Sequence, residues 1–561
     1  MTEQTYDIFT AEIIRNALLA AGDEMFVAMQ RASMSPIIYE VLDYGVGITD
    51  GRGRLLTQGN GVPLFIGTID ASVVTILEKF GSKDAIHPGD IFISNDPYSG
   101  GGTHLSDVSL IMPVFHDGTL VAFVANKAHW SEVGGKNPGS WTTDATDVFQ
   151  EGIQFPNVKL FERGRENESL IEMIRANVRL PDMSLGDMWA GIAALRVGEE
   201  RLLALIEKYG GDAFFSAIDG LLDYSEGATR AELAKLPRGV FEAEDWIDDD
   251  GIGNGPFPVR VKVTITDDRF IADFTGSHPQ VPGPINNTFT GLVSGVRGAF
   301  LAITSPSTPN NEGCFRALEV ICPQATLFTA TRPAPVSTYW ETLLYANDLI
   351  WKALAPYVPD RLPAGHLLST CGTIIAETRP DTGELKILVE PLVGGWGASR
   401  DKDGQNGQFC AGDGETFNIP VEVTEATYGL RVEQYAFHNE DGGAGRQRGG
   451  KGVVLDYRVI ADEVFLTAAY GRHRFSPWAL EGGQEGSRNY IEIHRLDGGR
   501  ERFGKVARCR VVKGELIRLV TATGGGYGPA KDRPRDQVHL DLRDGYITAP
   551  QARDAFGLVT P

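Results

Sequence analysis

Two histidines and an aspartate lie close together in Asn95-Asp-Pro-Tyr-Ser-Gly-Gly-Gly-Thr-His104-Leu-Ser-Asp107 and Asn126-Lys-Ala-His129-Trp130. Imidazole nitrogens and a carboxylate can bind a divalent cation. Three such ligands suit zinc, manganese or iron and leave a coordination position open. The same residue types at strand ends also cap loops or satisfy backbone groups. His-x-x-Asp is a looser pattern than the two-histidine zinc-protease motif. On residue types alone, both readings stand.

The surrounding pattern decides whether these side chains can meet. Asp90 to Ser94 reads as a short apolar strand ending at Asn95-Asp96-Pro97, before the glycine loop Gly100 to Gly102. Two apolar runs, Val108 to Phe115 and Leu120 to Val124, flank a tight turn at His116-Asp117-Gly118. If they pair as a hairpin, His129 returns to the end that carries His104 and Asp107. Upstream, Phe9 to Arg31 has helical spacing, with Thr10 as the expected N-cap. A strand, turn and strand follow over Gly45 to Thr57, then a helix over Thr68 to Phe80. Helices are expected over Leu170–Asn177, Met188–Tyr209 and Phe214–Lys235.

The composition changes near Leu236-Pro-Arg-Gly239. Beyond it, Val259 to Ile265 alternates with period two and faces Phe270 to Phe274. Thr338 to Ala355 returns to helix, and short strands between glycine turns dominate from about Leu385. The expected fold is α+β, with a helix-rich metal-binding region over residues 1–240 and a β-rich region over 241–561 packed against it.

A chain of 561 residues with 42% hydrophobic content can bury a large core. Its net charge of -22 leaves no basic face for a nucleic acid. No apolar run is long enough to span a membrane. The five cysteines are widely spaced and odd in number, as expected of reduced thiols in a cytoplasmic protein. The polar, acidic start Met1 to Asp7 is unlike a signal peptide.

Several segments together resemble the hydantoinase B family. They include Asn95 to Asp107, Lys127-Ala-His129-Trp130 with Gly134-Gly135, and Phe149-Gln-Glu-Gly152. Further on come Asp273-Phe-Thr-Gly276, Pro309-Asn-Asn-Glu-Gly313, Gly394-Gly-Trp-Gly397 and Gly524-Gly-Gly526. The resemblance spans nearly the whole chain. It implies the metal-containing B-type component of an ATP-dependent hydrolase of cyclic amides: hydantoins, lactams or 5-oxoproline. A separate A-type subunit would use ATP to phosphorylate the substrate carbonyl, in a hetero-oligomer with several copies of each chain. The alternatives are the α-type subunit of an acetone or acetophenone carboxylase, acting on a ketone, and a non-catalytic scaffold. The resemblance also implies an acidic fourth ligand near Asp43, with Glu40 as the fallback.

Two carboxylates are candidates for acid–base work. Glu132, three residues past His129, could move a proton near the metal or form a salt bridge. Asp96 could orient a ligand histidine or cap the glycine loop. Asp144, Asp147, Gln150 and Glu151 form a polar cluster that could meet substrate or a partner, and Trp130 is expected in the core. Gly445-Arg-Gln-Arg-Gly-Gly-Lys451-Gly452 matches the start of a phosphate loop. It lacks the magnesium-binding hydroxyl at Gly452, and Val453 to Ile460 reads as a strand, where a phosphate loop needs a helix.

Overall fold

The computed structural model describes residues 8–81, 84–99, 101–304, 310–414 and 416–558. Met1 to Asp7, Gly100 and Pro309 lie outside them. The architecture is α+β. Strands β1 (Tyr44–Asp50), β2 (Leu55–Gly61), β3 (Ile91–Ser94), β4 (Asp107–His116), β5 (Thr119–His129), β6 (Val158–Glu162) and β7 (Arg165–Glu166) form one sheet in the order β2-β1-β5-β4-β3-β6-β7. Every pairing in it is antiparallel.

The expected hairpin is β4–β5. Asp117 and Gly118 both have positive φ, 49° and 77°, as a two-residue type I′ turn demands. The register runs from His116 opposite Thr119 to Asp107 opposite His129. The strands read as unbroken apolar runs because both sheet faces are covered. Ile111, Phe123 and Ala125 pack with Ile69, Val73 and Ile76 of helix α3 (Thr68–Phe80). The alternate positions Leu110, Met112 and Val124 join the main core. Helices α1 (Ile8–Ala32) and α5 (Pro181–Tyr209) supply Leu18, Met25, Met188 and Leu195 to that core. Helix α1 is already formed at Ile8, so Thr10 lies inside the helix and is not its N-cap.

The three remaining sheets lie beyond residue 238. Strands β8 (Gly239–Ile247), β9 (Phe257–Ile265), β10 (Phe270–Asp273) and β11 (Leu318–Ile321) form a four-stranded sheet. The others are a four-stranded and a five-stranded sheet within residues 372–520. One core cluster continues from Ala11 to Tyr527. At its centre runs a helix, Trp340–Leu354, on which every residue except Lys352 is buried.

Buried charge ties that helix to its surroundings. The Arg472 guanidinium bonds Asp348 of the helix at 2.9 Å and Asp245 of β8 at 2.9 and 3.1 Å. Asp348 also accepts from the Trp478 indole at 2.9 Å. Removing the arginine would leave the buried Asp348 without its counter-charge and Asp245 with Lys352 alone, at 3.0 Å. Arg472→Met should therefore destabilise the fold by about 3–5 kcal/mol. Thermal unfolding checks this, and an unchanged midpoint would contradict it.

Candidate metal centre

His104, Asp107 and His129 offer ligand atoms that all lie within 4.8 Å of one another. Their residues are 2%, 1% and 5% exposed. The hairpin register does most of the assembly, because it places Asp107 and His129 directly opposite each other. A short turn from Thr103 to Ser106 adds His104, with the Asp107 N–H bonded to the His104 carbonyl at 3.2 Å.

The hydrogen bonds around the cluster assign its lone pairs. His104 Nδ1 lies 3.0 Å from the Ser337 carbonyl oxygen. A carbonyl only accepts, so Nδ1 carries the proton. His104 Nε2 then faces Asp107 Oδ1 at 3.1 Å. The other oxygen, Oδ2, accepts from Thr103 Oγ1 at 2.6 Å and from the Tyr339 hydroxyl at 3.0 Å. These contacts hold Asp107 with Oδ1 free to ligate. His129 Nδ1 is buried and has no hydrogen-bond partner.

The electrostatics suit a cation. Burial acts to raise the Asp107 carboxyl, but His104, His129 and Lys127 outweigh it and hold it well below the usual carboxylate range. Burial, reinforced by the neighbouring His104, pushes His129 down to about 3, so its imidazole is neutral at physiological pH. When Nε2 gives up the proton that pairs it with Asp107, two facing acceptors remain beside a buried His129 nitrogen that has no hydrogen-bond partner among the described residues, and a divalent metal would satisfy all three. The donor set therefore fits the group that the resemblance implies.

Asp43 borders the same cavity. It sits between Leu42, whose φ is 65°, and β1, and its carbonyl accepts the His129 N–H at 3.0 Å. As a cavity-lining residue it keeps some accessible surface, yet its carboxylate is surrounded by protein. Burial, then the neighbouring Asp107 and Asp413, raise its carboxyl well above the ordinary value. Glu40 does not line the cavity.

Glu132 and Asp96, the two acid–base candidates, also lie outside the cavity lining. Glu132 Oε1 accepts from Arg179 at 2.9 Å, Ser140 Oγ at 2.8 Å and the Gly134 N–H at 2.7 Å, and Oε2 from the Gly139 N–H at 3.2 Å. Asp96 caps its own loop through the Tyr98 N–H and pairs with Arg332, each at 3.0 Å. Within the polar cluster, Asp144 pairs with Lys136 and Asp147 caps a short 3-10 turn. Glu151 is buried and accepts the Val336 and Ser337 N–H groups at 2.8 and 2.9 Å. It thereby holds the carbonyl that orients His104. Trp130 is in the core.

Sequence reasoning missed the far wall of the cavity. Tyr339, Trp340, Thr370, Glu390 and Asp413 all line it. They come from more than 200 positions beyond His129, and no local pattern marks them. Trp141, Trp340, Phe65 and Val389 make much of the surface apolar. The cavity offers about 50 Å³ to water-sized molecules. Asp413 accepts from Thr370 Oγ1 and from the Cys410 thiol, each at 3.1 Å, and burial raises it to about 6.

The Hydantoinase B/oxoprolinase family matches residues 7–530. The chain belongs to that family. It is 31% identical over 570 residues to the B chain of a putative D-/L-hydantoinase from Pseudomonas sp. strain NS671, covering 98% of this chain and 95% of that one. It is 30% identical over 575 residues to the beta chain of the caprolactamase of Pseudomonas jessenii, covering 99% and 96%. The crystal structure of ATP-dependent caprolactamase from Pseudomonas jessenii superposes with a TM-score of 0.93 at 28% identity, over 99% of this chain and 97% of that chain. An acetone carboxylase structure shares the fold, with a TM-score of 0.91 at 19% identity over 99% of this chain and 80% of that chain.

Two outcomes follow from the geometry. Tyr339→Phe keeps the ring but frees Asp107 Oδ2 from one donor, so metal affinity should fall about tenfold. Chelator competition measures it, and unchanged affinity would show that the hydroxyl does not position the carboxylate. The second concerns Glu151, which burial raises to about 8 from 4.5. The folded chain keeps a proton there that the unfolded chain releases, so this group costs stability as pH rises between those values. Glu151→Gln should accordingly gain stability relative to wild type over that window. Melting curves at several pH values check the trend, and a constant difference would contradict it.

Proposed function

We propose that this chain is the metal-carrying subunit of an ATP-dependent cyclic amide hydrolase. Its substrate would be a hydantoin, lactam or 5-oxoproline-type ring whose carbonyl oxygen a separate A-type subunit has phosphorylated. The observation that carries the reading is the buried pair His104 Nε2 and Asp107 Oδ1, 3.1 Å apart beside an unpartnered His129 nitrogen. Family membership and relatives named as subunits of a hydantoinase and a caprolactamase support the reaction class.

His104, Asp107, His129 and Asp43 would hold one divalent metal. When bound, it supplies electrophilic activation of the substrate and of water. The protein's part is positioning, proton handling and exclusion of solvent. Ser337 and Glu151 fix the His104 ring, while Tyr339 and Thr103 fix Asp107. The aromatic walls keep an activated ester away from bulk water. Opening an amide ring requires a proton on the leaving nitrogen. Asp413 lines the cavity, and burial raises its carboxyl to about 6, which suits a group that delivers or collects that proton. Glu132 and Asp96 have no free oxygen facing the site.

ATP use is assigned to the partner. Gly452 is followed directly by the strand Val453–Val459, and a Cβ at Gly452 would lie 2.0 Å from the Thr521 carbonyl oxygen. That segment cannot open a helix toward phosphate as a phosphate loop does.

The test is co-expression with an A-type subunit and a turnover screen over hydantoins, lactams, 5-oxoproline and ketones, with and without bicarbonate. The expected result is ATP-dependent ring opening by the complex and no ATPase activity from this chain alone. Asp413→Asn should lower kcat about 10²–10³-fold with metal content unchanged. Turnover of a ketone only in the presence of bicarbonate would assign a carboxylase instead. Full ring-opening activity in a His104→Ala/His129→Ala complex would refute the proposal.

A further inference from the structure

A second cavity, of about 270 Å³, lies between the glycine-rich loop that ends at Lys451 and the C-terminal segment. It shares no lining residue with the His104 cavity. Ile547, Pro550 and Phe556 give it an apolar side, and Gly442, Gly443 and Gly449 bring backbone to its edge. Two cations line it: Arg448 and Lys451, 8% and 5% exposed.

The ion pairs around it leave one of these cations without a direct partner. Arg448 lies over the Tyr546 ring at 4.3 Å and bonds Asp541 at 3.3 Å. Arg533 bonds the same Asp541 at 2.8 Å and Asp403 at 2.8 Å. Two carboxylates thus serve two guanidiniums. Among the described residues, the Lys451 ammonium has no hydrogen bond and no ion pair. Asp441 and Asp554 also line the cavity; Asp441 attracts Lys451 from beyond ion-pair distance, and neither carboxylate bonds its ammonium directly. Asp441 accepts from Gln551 at 2.7 Å, and Asp554 pairs with Arg553 at 2.7 Å.

A buried ammonium that lines a cavity and makes no direct hydrogen bond or ion pair is unfavourable even with Asp541 and Asp441 in its neighbourhood, so the arrangement suits an anionic ligand that makes those bonds. We propose that this cavity binds a phosphate-type oxyanion, either inorganic phosphate or the phosphoryl group of a small ester, with Lys451 and Arg448 as its counter-charges. Two adjacent cations favour a doubly charged ligand over a simple carboxylate. The volume exceeds that of phosphate alone, and the apolar side offers contact to the organic part of an ester. Burial and the neighbouring Arg448 lower Lys451 only to about 8, so it still carries its charge at neutral pH. The glycine–lysine pattern is therefore read as an anion site without a phosphate-loop helix, and the site stands apart from the reading of the metal centre.

The test is calorimetric titration of the full-length chain with inorganic phosphate, phenyl phosphate and acetate, at constant ionic strength in chloride. Saturable binding of phosphate or its ester is expected, with acetate at least tenfold weaker. The tighter of the two phosphates identifies the source. Lys451→Met should weaken binding at least tenfold, and Lys451→Arg should retain it. A readout on wild-type protein covers the case in which the methionine variant does not fold. Bound phosphate should protect the Lys451 ammonium from acetylation, as read by peptide mass spectrometry. Absence of saturable binding, acetate equal to phosphate, equal affinity in a folded Lys451→Met variant, or no protection of Lys451 would each overturn the proposal.

Discussion

The structure around the site depends on two hydrogen-bond acceptors that face each other in a dry interior. The Ser337 carbonyl holds a proton of His104 on Nδ1, which turns Nε2 toward an Asp107 oxygen at 3.1 Å. Such a pair is stable only with a cation between or beside its members, whether a proton or a metal. Tyr339 and Thr103 occupy the other Asp107 oxygen, and Glu151 immobilises the Ser337 segment. Two successive layers of hydrogen bonds thus serve a single lone-pair arrangement.

This constraint joins segments that lie far apart in the chain. The ligand hairpin belongs to the seven-stranded sheet, whereas Ser337 and Tyr339 precede the central helix beyond residue 238. His104 is oriented from that distant segment, and Asp107 from both it and the neighbouring Thr103. The same helix carries Asp348 and Glu341 into buried contacts with Arg472 and Lys505. The charges that fasten the helix also set the position of Ser337 and Tyr339 relative to the hairpin.

The hairpin and the meeting of His104, Asp107 and His129 at its end were legible in the sequence because their determinants are local. Two apolar runs, a turn needing two positive φ values and histidines at the strand ends specify both pairing and register. The helix over Thr68 to Phe80 and the strand after Gly452 were legible for the same reason. The far wall was not. Tyr339, Glu390 and Asp413 reach the cavity only through tertiary packing, and nothing in their own segments distinguishes them from core residues. Of the two readings open for Glu132 and Asp96, the structure shows the salt bridge and the loop cap, and neither residue lines the cavity. Arg179 and Ser140 draw one carboxylate away from the cavity, and Arg332 and the Tyr98 N–H draw away the other. At Lys451 the glycine pattern was visible, whereas the missing ion-pair partner becomes apparent only when the chain is folded.

The central claim is that one divalent metal occupies the space bounded by His104, Asp107, His129 and Asp43. Anomalous diffraction from crystals of the purified protein, collected on both sides of the absorption edges of zinc, manganese and iron, tests it most directly. The account predicts a single strong peak within coordination distance of His104 Nε2 and Asp107 Oδ1, disappearing below the edge of one element. An anomalous map without a peak there, from protein loaded with all three metals, would contradict it.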